Sequence, residues 1–514
     1  MIIDWFDAGA ERYPGRPCIE DDRTGLSYGE VRSATHRIAH ALHAAIGERG
    51  HAGLYSPNCT DGLLAALGTF RAGTPYVPLN ARDSVDDNAW LLDFTECELL
   101  FIHSSFTAHL PRLRERVPRL REFVCLDRDL PEMPSLRAWS ARHLDLSVNI
   151  RRGPDEVAII KSTGGTTGRP KGVLQTHRAL EEMYRLIESC MPPRKPPVHL
   201  VVAPFTHAAG AIAYPLMKHG ARQILMEKVD LGRILEAIER ERVTYLFLPP
   251  TVIYRLLSHA DIRHHDYSSL EYFIYGAAPM SVDKLREAID IFGPVMAQCF
   301  GQAEIPLMCT YLSPQEHLVT DDATSLRRLA SAGRATDGTS IAIMADDGKL
   351  MSANERGEIV VRGALVTPSY FKNPAASSEA MQHGWRHTGD IGYLDDAGYL
   401  YIVDRKRDLI ISGGFNVYPG EVEQVLWSHP AIQDCAVIGV PDPDWGEAVK
   451  AVVELRSECK ATESELLAFC RERLGSVKSP KSVEFWKELP RSSVGKVLKR
   501  DIRAKFWVGQ KRMV

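Results

Sequence analysis

The chain of 514 residues is long enough for a sizeable hydrophobic core, divided into about three ordinary domains or into one large α/β unit and a small one. Hydrophobic residues at 45% and charged residues at 25% are typical of a soluble globular protein, and the formal net charge of −4 argues against a nucleic-acid binder. The ten cysteines form no CxxC pair or metal-ligand spacing, which predicts free thiols in a reducing compartment and no zinc site.

The first residues, MIIDWFDAGAERYPGR, meet acidic side chains too early for a signal peptide. No apolar run reaches the length needed to cross a bilayer. We therefore expect a soluble, cytoplasmic protein without a transmembrane segment.

The amino-terminal part alternates predicted helices and strands. Apolar residues at helical spacing give a helix one apolar face, formed by Val31, Ala34, Ile38, Ala41 and Leu42. Short apolar strands are predicted at residues 99–103 and 122–126. This alternation predicts doubly wound α/β layers, and we assign no catalytic role to this scaffold.

A glycine- and threonine-rich stretch, KSTGGTTGRPKGV at residues 161–173, follows an apolar strand predicted at residues 156–160. Glycines at a strand exit let backbone amides approach an anion closely, while Lys171 supplies a point charge suited to phosphate. Arg169 and Pro170 separate the last loop glycine from Lys171, so this is not a Walker A loop, and no GxGxxG is present. The stretch is interpreted as a phosphate-binding loop, with a Gly/Thr-rich surface turn as the alternative.

Three later segments place small or polar residues where a predicted strand ends. The segment VHLVVAPFTHAAG places His207 just after a predicted strand. The segments VTYLFLPP and EYFIYGAAPM each end a predicted strand with Pro, or with Gly and Pro, which interrupt regular structure. The carboxyl edge of a parallel sheet is the usual place for ligand contacts. The alternatives are a histidine satisfied in the core, tight helix packing of the small residues, and plain strand-ending turns.

Acidic and basic candidates appear in the second half. In QCFGQAE, Phe300 can stack on a base, and Glu304 can bind Mg²⁺ because a hard cation favours a carboxylate shared with phosphate oxygens. Asp390 follows Thr388 and Gly389 at a turn, where its carboxylate can accept both ribose hydroxyls. Near the carboxyl terminus, Lys496 lies in the segment PRSSVGK.

Taken in order, these motifs resemble those of the adenylate-forming superfamily, which includes acyl-CoA synthetases, adenylation domains of peptide synthetases, and luciferases. The resemblance covers nearly the whole chain. It implies an α/β fold with a large multi-layer amino-terminal domain at residues 1–404 and a small mobile α/β domain at residues 405–514. The hinge residue, usually Asp or Lys, is Arg407 here, and we expect its side chain to be charged and exposed.

The resemblance also implies roles for individual residues. The catalytic candidates are Lys496 for adenylation, His207, Thr166 and Lys171. The expected nucleotide and CoA contacts are Thr163, Gly164, Gly165, Thr167, Gly168, Gly276, Ala277, Ala278, Pro279, Phe300, Gly301, Asp390, Arg405, Gly413 and Gly414, the last two lining the pantetheine tunnel. The expected acyl contacts are His207, Ala209, Ala213, Ile274, Ala277 and Gly301, and the expected metal ligand is Glu304.

The sequence departs from the family at three informative positions. Ala303 stands where the family has a threonine that donates to the α-phosphate, and Gly164 replaces a loop serine. Two missing hydroxyl contacts at about 0.5–1.5 kcal/mol each would weaken nucleotide handling roughly ten- to a hundredfold unless neighbours compensate. Thr206 replaces the aspartate that holds the amine in amino-acid-activating relatives, which favours hydrophobic acids without an α-amine.

The last nineteen residues, 496–514, contain seven Lys or Arg and one acidic residue. We interpret this segment as a solvated basic tail, with contact to CoA phosphates as the alternative.

The resulting prediction is a ligase that uses ATP and Mg²⁺ to convert a hydrophobic fatty or aryl acid to an acyl-adenylate and then transfers the acyl group to CoA. One alternative is a free-standing adenylation enzyme that loads a carrier protein or another acceptor. The other is a catalytically impaired nucleotide-binding homologue, suggested by Ala303 and Gly164. Against decay, five functional candidates are retained: Lys171, Glu304, Asp390, Arg405 and Lys496. A homodimer is left open.

Overall fold

The computed structural model describes residues 1–81, 83–148, 150–162, 171–318, 323–367, 369–457, 459–491 and 496–507. Within these ranges the strands form four sheets: three in the amino-terminal part, with six, nine and four strands, and one of five strands at the carboxyl terminus.

Residues 1–162 begin both larger sheets. The strands are β1 (Pro17–Glu20), β2 (Gly25–Ser27), β3 (His51–Tyr55), β4 (Tyr76–Pro78), β5 (Cys97–Ile102), β6 (Glu122–Cys125) and β7 (Val157–Ser162). The helices are α1 (Ile2–Arg12), α2 (Tyr28–Ile46), α3 (Thr60–Ala72), α4 (Val85–Phe94), α5 (Leu110–Arg116) and α6 (Leu136–Ser140), with a 3₁₀ turn at Ser104–His109.

Residues 171–335 continue the alternation. The strands are β8 (Gly172–Thr176), β9 (Val198–Val201), β10 (Arg222–Leu225), β11 (Tyr245–Leu248), β12 (Tyr272–Gly276), β13 (Met296–Phe300), β14 (Thr310–Leu312) and β15 (Arg334–Ala335). The helices are α7 (His177–Cys190), α8 (Ala208–Met217), α9 (Leu231–Arg240), α10 (Pro250–Leu257), α11 (Val282–Phe292) and α12 (Ala323–Arg328).

The remaining chain forms the two smaller sheets. Strands β16 (Thr339–Met344), β17 (Gly357–Gly363), β18 (Arg386–Leu394) and β19 (Leu400–Arg405) make an antiparallel sheet, with α13 at Pro374–Glu379 and a 3₁₀ turn at Gln382–Gly384. After a 3₁₀ turn at Lys406–Asp408 come β20 (Ile410–Ser412), β21 (Phe415–Val417), α14 (Pro419–Trp427), β22 (Ile432–Asp442), β23 (Gly446–Leu455), α15 (Glu463–Lys478), β24 (Ser482–Phe485) and α16 (Lys499–Ala504).

Parallel pairing dominates the two larger sheets. The six-stranded sheet has the order β6-β5-β3-β4-β7-β8, and only its β7–β8 pair is antiparallel. The nine-stranded sheet has the order β15-β14-β13-β12-β11-β9-β10-β1-β2, with antiparallel strands at both edges. Parallel strands need covered faces, and the intervening helices supply that cover. The predicted α/β class, with a large multi-layer amino-terminal domain and a small carboxyl-terminal one, is confirmed.

Helix α2 shows how local sequence sets these elements. Ser27 caps its amino terminus by accepting a hydrogen bond from the backbone N–H of Glu30, whose carboxylate accepts in return from the backbone N–H of Ser27. Of the predicted apolar face, Val31, Ile38, Ala41 and Leu42 are buried and Ala34 is half-buried. Helix α2 packs on α3, and both helices contact strands of the six-stranded and the nine-stranded sheets.

Two global expectations can be compared with the described chain. All ten cysteines are free thiols, as predicted. In the part of the chain that the structure describes, every helix is too short or too polar to traverse a lipid bilayer.

Candidate active site

The predicted phosphate loop joins two antiparallel strands. Ser162 at the end of β7 is the register partner of Gly172 at the start of β8. The loop candidates Thr163, Gly164, Gly165, Thr166, Thr167 and Gly168 lie outside the described residues. Lys171, where the description resumes, holds its ammonium 4.8 Å from the centre of the Tyr370 ring. Strand β8, which the sequence analysis did not predict, therefore fixes where the loop ends.

A buried cluster of polar side chains surrounds Glu304, the predicted metal ligand. The Tyr370 hydroxyl donates a hydrogen bond to Glu304 Oε1 at 2.8 Å. Arg386 Nη2 donates to the Tyr370 hydroxyl oxygen at 2.5 Å and lies 3.3 Å from Glu304 Oε1. Burial and the neighbouring Glu304 carboxylate raise the pKa of Tyr370 to about 12. Tyr370 therefore stays protonated and keeps donating to the glutamate at physiological pH.

The chemistry of this cluster fits a magnesium ion held together with substrate phosphates. Glu304 is a carboxylate with a side chain 12% exposed, and Lys171 lies against the same tyrosine. No group of three or more His, Cys, Asp or Glu residues in the described ranges could hold a metal ion by itself. Mg²⁺ in nucleotide sites is commonly bound by one or two carboxylates plus phosphate oxygens and water, which is what Glu304 could support.

The predicted ribose residue, Asp390, lies on β18 opposite Arg405 on β19. Asp390 Oδ1 is 3.1 Å from Arg405 Nε, and Asp390 Oδ2 accepts a hydrogen bond from Gln302 Nε2 at 2.7 Å. Gln302 also donates to the backbone oxygen of Thr388 at 3.0 Å. The structure thus brings Asp390 and Arg405 together and adds Gln302, a residue that the sequence analysis did not assign.

Lys496 is brought to the same place from the carboxyl-terminal domain. Its side chain is half-buried, and burial together with the nearby Arg405 guanidinium lowers its pKa to about 8, against the opposing effect of Asp390 and Asp408. These charges act on Lys496 because they lie close to it. Lys496 is therefore within electrostatic range of the predicted ribose residues, Asp390 and Arg405.

The predicted hinge differs from expectation. Arg407 is half-buried rather than exposed. Burial, and to a smaller extent the neighbouring Arg405 charge, lowers the pKa of its guanidinium. The carboxylates of Asp408 and Asp390 oppose this shift. The prediction of an exposed side chain is wrong because charged groups distant in sequence pack around the junction between β19 and β20.

The solvated basic tail is also a prediction that needs correction. Lys499 Nζ lies 2.9 Å from Glu423 Oε1, and Arg503 Nη2 lies 3.0 Å from Asp408 Oδ1. Both cations are largely buried in ion pairs at the start of the tail. Residues 508–514 lie outside the described part of the chain, so the interpretation fails for residues 499 and 503 specifically.

His207 precedes α8 and is half-buried next to Thr206. Its Nδ1 lies 3.0 Å from the Thr206 hydroxyl oxygen. Burial, aided by the Lys161 charge, lowers the pKa of His207 to about 3, so the imidazole is neutral at physiological pH. Lys161 at the end of β7 was not assigned from sequence, and burial lowers its own pKa to about 8. Among the described residues, Lys161 is the charged group that acts on the pKa of His207.

A cavity of about 920 Å³ lies beside this position, between the two domains. Thr206 and Pro204 contribute to its amino-terminal wall, while Trp486 and Arg491 contribute to its carboxyl-terminal wall. The cavity is lined by Thr206, the residue before His207, and His207 itself is not among its lining residues.

The predicted adenine turn, residues 276–279, follows β12. A side chain at Gly276 would bring its Cβ within 2.4 Å of the Cys299 carbonyl oxygen on the neighbouring strand, so glycine is required there. Ala277 has a φ of +66°, which is sparsely populated for a residue with a side chain. Ala277 and Pro279 are exposed and Ala278 is half-buried, so the turn has open surface, and its contact with adenine stays a prediction.

Phe300 and Gly301 lie at the end of β13. Phe300 is half-buried, and Gly301 has the Leu307 backbone nitrogen 2.5 Å from where a Cβ would be. The close approach explains glycine at this position without a ligand. The adenine-stacking role of Phe300 stays a prediction.

The residues predicted to contact the acyl group differ in how much of their surface is exposed. Ala209, Ala213 and Ile274 have at most 1% of their surface exposed and belong to the hydrophobic core. In this structure they are packing residues with almost no surface open to a ligand. An acyl contact at these three positions therefore stays a prediction that requires local opening.

Gly413 and Gly414 connect β20 and β21 in the small domain. Gly413 has a φ of +57°, and a Cβ there would lie 2.3 Å from Cε3 of Trp445. Gly414 has a φ of +81° and open space around it. The hairpin geometry alone requires both glycines, and their contact with pantetheine stays a prediction.

Comparison with known proteins adds to this geometry. Residues 6–371 match the sequence model of the AMP-binding enzyme family, and residues 421–496 match that of the AMP-binding enzyme C-terminal domain.

Similar proteins match this chain along nearly all of its length. The chain is 35% identical to the medium/long-chain-fatty-acid–CoA ligase FadD8 of Mycobacterium tuberculosis, with 98% of this chain and 90% of the relative covered. It is 36% identical to a feruloyl-CoA synthase of an Amycolatopsis species, with 98% of each covered. Among solved structures, the amide bond synthetase McbA from Marinactinospora thermotolerans superimposes with a TM-score of 0.88 at 28% identity, covering 98% of this chain and 100% of the other.

Proposed function

Because the chain belongs to the AMP-binding enzyme family, we propose that it is an ATP-dependent acid–thiol ligase that forms an acyl-adenylate and then an acyl-CoA. The observation that carries this proposal is the position of Lys496 beside Asp390 and Arg405. A cation from the small domain lies next to the residues proposed to hold the ribose. Such an arrangement suits stabilisation of charge that develops on an α-phosphate.

In the first half-reaction, a carboxylate oxygen of the acid attacks the α-phosphorus of ATP and the bond to pyrophosphate breaks. Lys496 offsets negative charge on the carboxylate and the α-phosphate as they meet. Glu304 would hold Mg²⁺ together with phosphate oxygens, and the ion would supply positive charge for the leaving pyrophosphate. Lys171 adds a second cation near the end of the phosphate loop, and Asp390 with Arg405 orients the nucleotide.

In the second half-reaction, the CoA thiol loses its proton, its sulfur attacks the acyl carbonyl carbon, and AMP leaves with the bonding electron pair. The cavity beside Thr206 supports a thiol approach toward His207. We propose that the small domain turns at Arg407 between the two steps. We place the domain boundary at residues 404 and 405, because β19 ends at Arg405 and the next strand, β20, belongs to the carboxyl-terminal sheet.

For the substrate we propose a hydrophobic fatty or aryl acid without an α-amine. Thr206 supplies no negative charge, and among the described residues the charged group that acts on His207 is the cation Lys161. An α-ammonium group would gain no counter-ion there, whereas a carboxylate is attracted. The similar proteins named for fatty-acid and feruloyl substrates support the same class.

A second candidate exists for the molecule that accepts the acyl group. The structural similarity to an amide bond synthetase supports an amine acceptor as the second candidate. CoA is preferred because the more similar full-length relatives are CoA ligases. Incubating the protein with ATP, Mg²⁺ and a panel of fatty and aryl acids, then comparing CoA, a carrier protein and amines as acceptors, tests both candidates. Product formation with amines or carrier protein but not CoA would replace the proposal.

The free cysteines also support a reducing, cytoplasmic location for the enzyme, as proposed from the sequence. The homodimer left open above is tested by light scattering of the purified protein.

A further inference from the structure

Arg386 is a buried cation whose hydrogen-bonding capacity is only partly used. Its side chain is 2% exposed, among the largest side chains that the structure buries completely. Nη2 bonds to Tyr370, but Nε and Nη1 have no hydrogen-bond partner in the described part of the chain. A guanidinium is ionised in proteins and costly to bury with N–H groups unpaired, so the site is built to receive an additional acceptor.

The location of Arg386 connects it to the nucleotide site. Arg386 and Asp390 both lie on β18. Each contacts one residue of the segment that follows β13, Glu304 for Arg386 and Gln302 for Asp390. Gln302 donates to Asp390, while Glu304 lies 3.3 Å from Arg386. The segment that holds the proposed ribose carboxylate therefore also holds the proposed metal ligand against Arg386.

The charges around Tyr370 indicate the type of acceptor. Arg386 Cζ and Lys171 Nζ lie 4.9 Å and 4.8 Å from the centre of its ring, and Glu304 is the carboxylate that contacts its hydroxyl. Arg386 is the cation that contacts this carboxylate. If Glu304 binds Mg²⁺, its charge is directed to the metal and the guanidinium of Arg386 loses part of its charge compensation. The missing partner is therefore an anion.

We infer that Arg386 is an additional phosphate-binding residue of this site, whose Nε and Nη1 take oxygens of the ATP triphosphate. This inference rests on the proposed function. The planar guanidinium fork suits bidentate contact with phosphate oxygens. It also supplies donors close to Ala303, the residue before Glu304, where a hydroxyl donor was expected and is missing. The triphosphate is thus bound by an arginine near the position where the family uses a threonine.

The test measures binding of ATP with Mg²⁺, without acid or CoA, by calorimetry, and compares it with binding of adenosine. Arg386→Met should weaken ATP about 10- to 100-fold, as expected when charged hydrogen bonds are lost, and leave adenosine within about twofold. Arg386→Lys keeps the charge without the fork and should fall between wild type and Arg386→Met.

Arg71→Met is the matched control. The Arg71 side chain is 3% exposed and fully paired with Asp7 and Thr35, away from this site. It should lower the melting temperature without changing the ratio of ATP to adenosine affinity.

An equal loss of ATP and adenosine affinity in Arg386→Met would show that Arg386 supports the whole nucleotide site and not the triphosphate, and would overturn the inference. Repeating the ATP titration with EDTA in place of Mg²⁺ separates a direct phosphate contact from an effect through Glu304: if Arg386→Met weakens ATP only when Mg²⁺ is present, Arg386 acts by positioning Glu304 and the inference is overturned. Unchanged ATP affinity would overturn it as well. If Arg386→Met does not fold, Arg386→Lys decides: ATP affinity equal to wild type contradicts the inference. A wild-type protein that binds no ATP would instead overturn the proposed function itself.

Discussion

Arg405 and Asp390 are cross-strand partners on β19 and β18, with Arg405 Nε 3.1 Å from Asp390 Oδ1. Arg405 ends the last strand before the proposed hinge, and Asp390 is the residue proposed to bind ribose. Both charges affect the pKa of Lys496, which belongs to the carboxyl-terminal domain. The pair therefore links the proposed nucleotide site to the position of that domain. The proposed adenylation relies on this arrangement.

Lys496→Ala should slow adenylation by at least about 10²- to 10³-fold, because one preorganised charge at the transition state is lost. The thioester half-reaction should suffer much less, since Lys496 is proposed to withdraw when the small domain turns. Pyrophosphate release measures the first step, and preformed acyl-adenylate with CoA measures the second. An equal collapse of both steps would show that the two roles are not divided in this way.

Adenylation should also depend on the protonation of Lys496. Burial and Arg405 lower its pKa to about 8, so the ammonium is present below that pH and lost above it. The value of kcat/KM for ATP, which reports the free enzyme, should therefore fall about tenfold per pH unit above pH 8.

Lys161 provides the control for this profile, because burial lowers its pKa to about 8 as well. Lys161→Met should keep the alkaline fall, whereas the residual activity of Lys496→Ala should lack it. If the fall disappears in Lys161→Met and persists in Lys496→Ala, the titrating group has been assigned to the wrong lysine.

Ala303→Thr should change ATP turnover by about tenfold or less, equivalent to about 1.4 kcal/mol. The backbone oxygen of Ala303 already accepts a hydrogen bond from Gln175 Nε2 at 2.7 Å, and the substitution keeps that contact. An ordered water can replace the missing hydroxyl at low cost. Steady-state turnover of both proteins measures the difference. A natural protein that is inactive with every acid, and is switched on by Ala303→Thr, would identify a silenced, regulatory site.

Acids without an α-amine should be activated in preference to free amino acids. Thr206 provides no carboxylate for an ammonium group, and the Lys161 charge acts on the same region. Pyrophosphate exchange with matched pairs, such as phenylpropanoate and phenylalanine, isolates the effect of the amine. Preference for the amino acid of such a pair would contradict the proposed substrate class.

Much of the fold could be predicted because its signals are local. The strands predicted at residues 99–103 and 122–126 correspond to β5 and β6 within a residue or two at their ends. The family was also predicted correctly from the order of the motifs, while the domain boundary at residues 404 and 405 stays a prediction. Strand β8 was missed because it is short and directly follows the glycine-rich loop, so its pairing with β7 decides its conformation.

The site was less predictable where contacts join distant residues. Tyr370 and Glu304 are 66 positions apart, and no local pattern connects them. Arg407 was expected to be exposed because arginine usually is, but the packing of Asp408 and Arg503 at the junction could not be foreseen. Burial of Ala209, Ala213 and Ile274 likewise depends on tertiary packing.

The central claim is that a carboxylate oxygen attacks the α-phosphorus of ATP. The most direct test supplies an accepted acid labelled with ¹⁸O in both carboxylate oxygens, together with ATP, Mg²⁺ and CoA, and analyses the products by mass spectrometry. We predict AMP carrying one ¹⁸O atom, unlabelled pyrophosphate, and acyl-CoA in equal amount to AMP. Label in inorganic phosphate with ADP as the nucleotide product, or acyl-CoA formed with unlabelled AMP, would contradict the account.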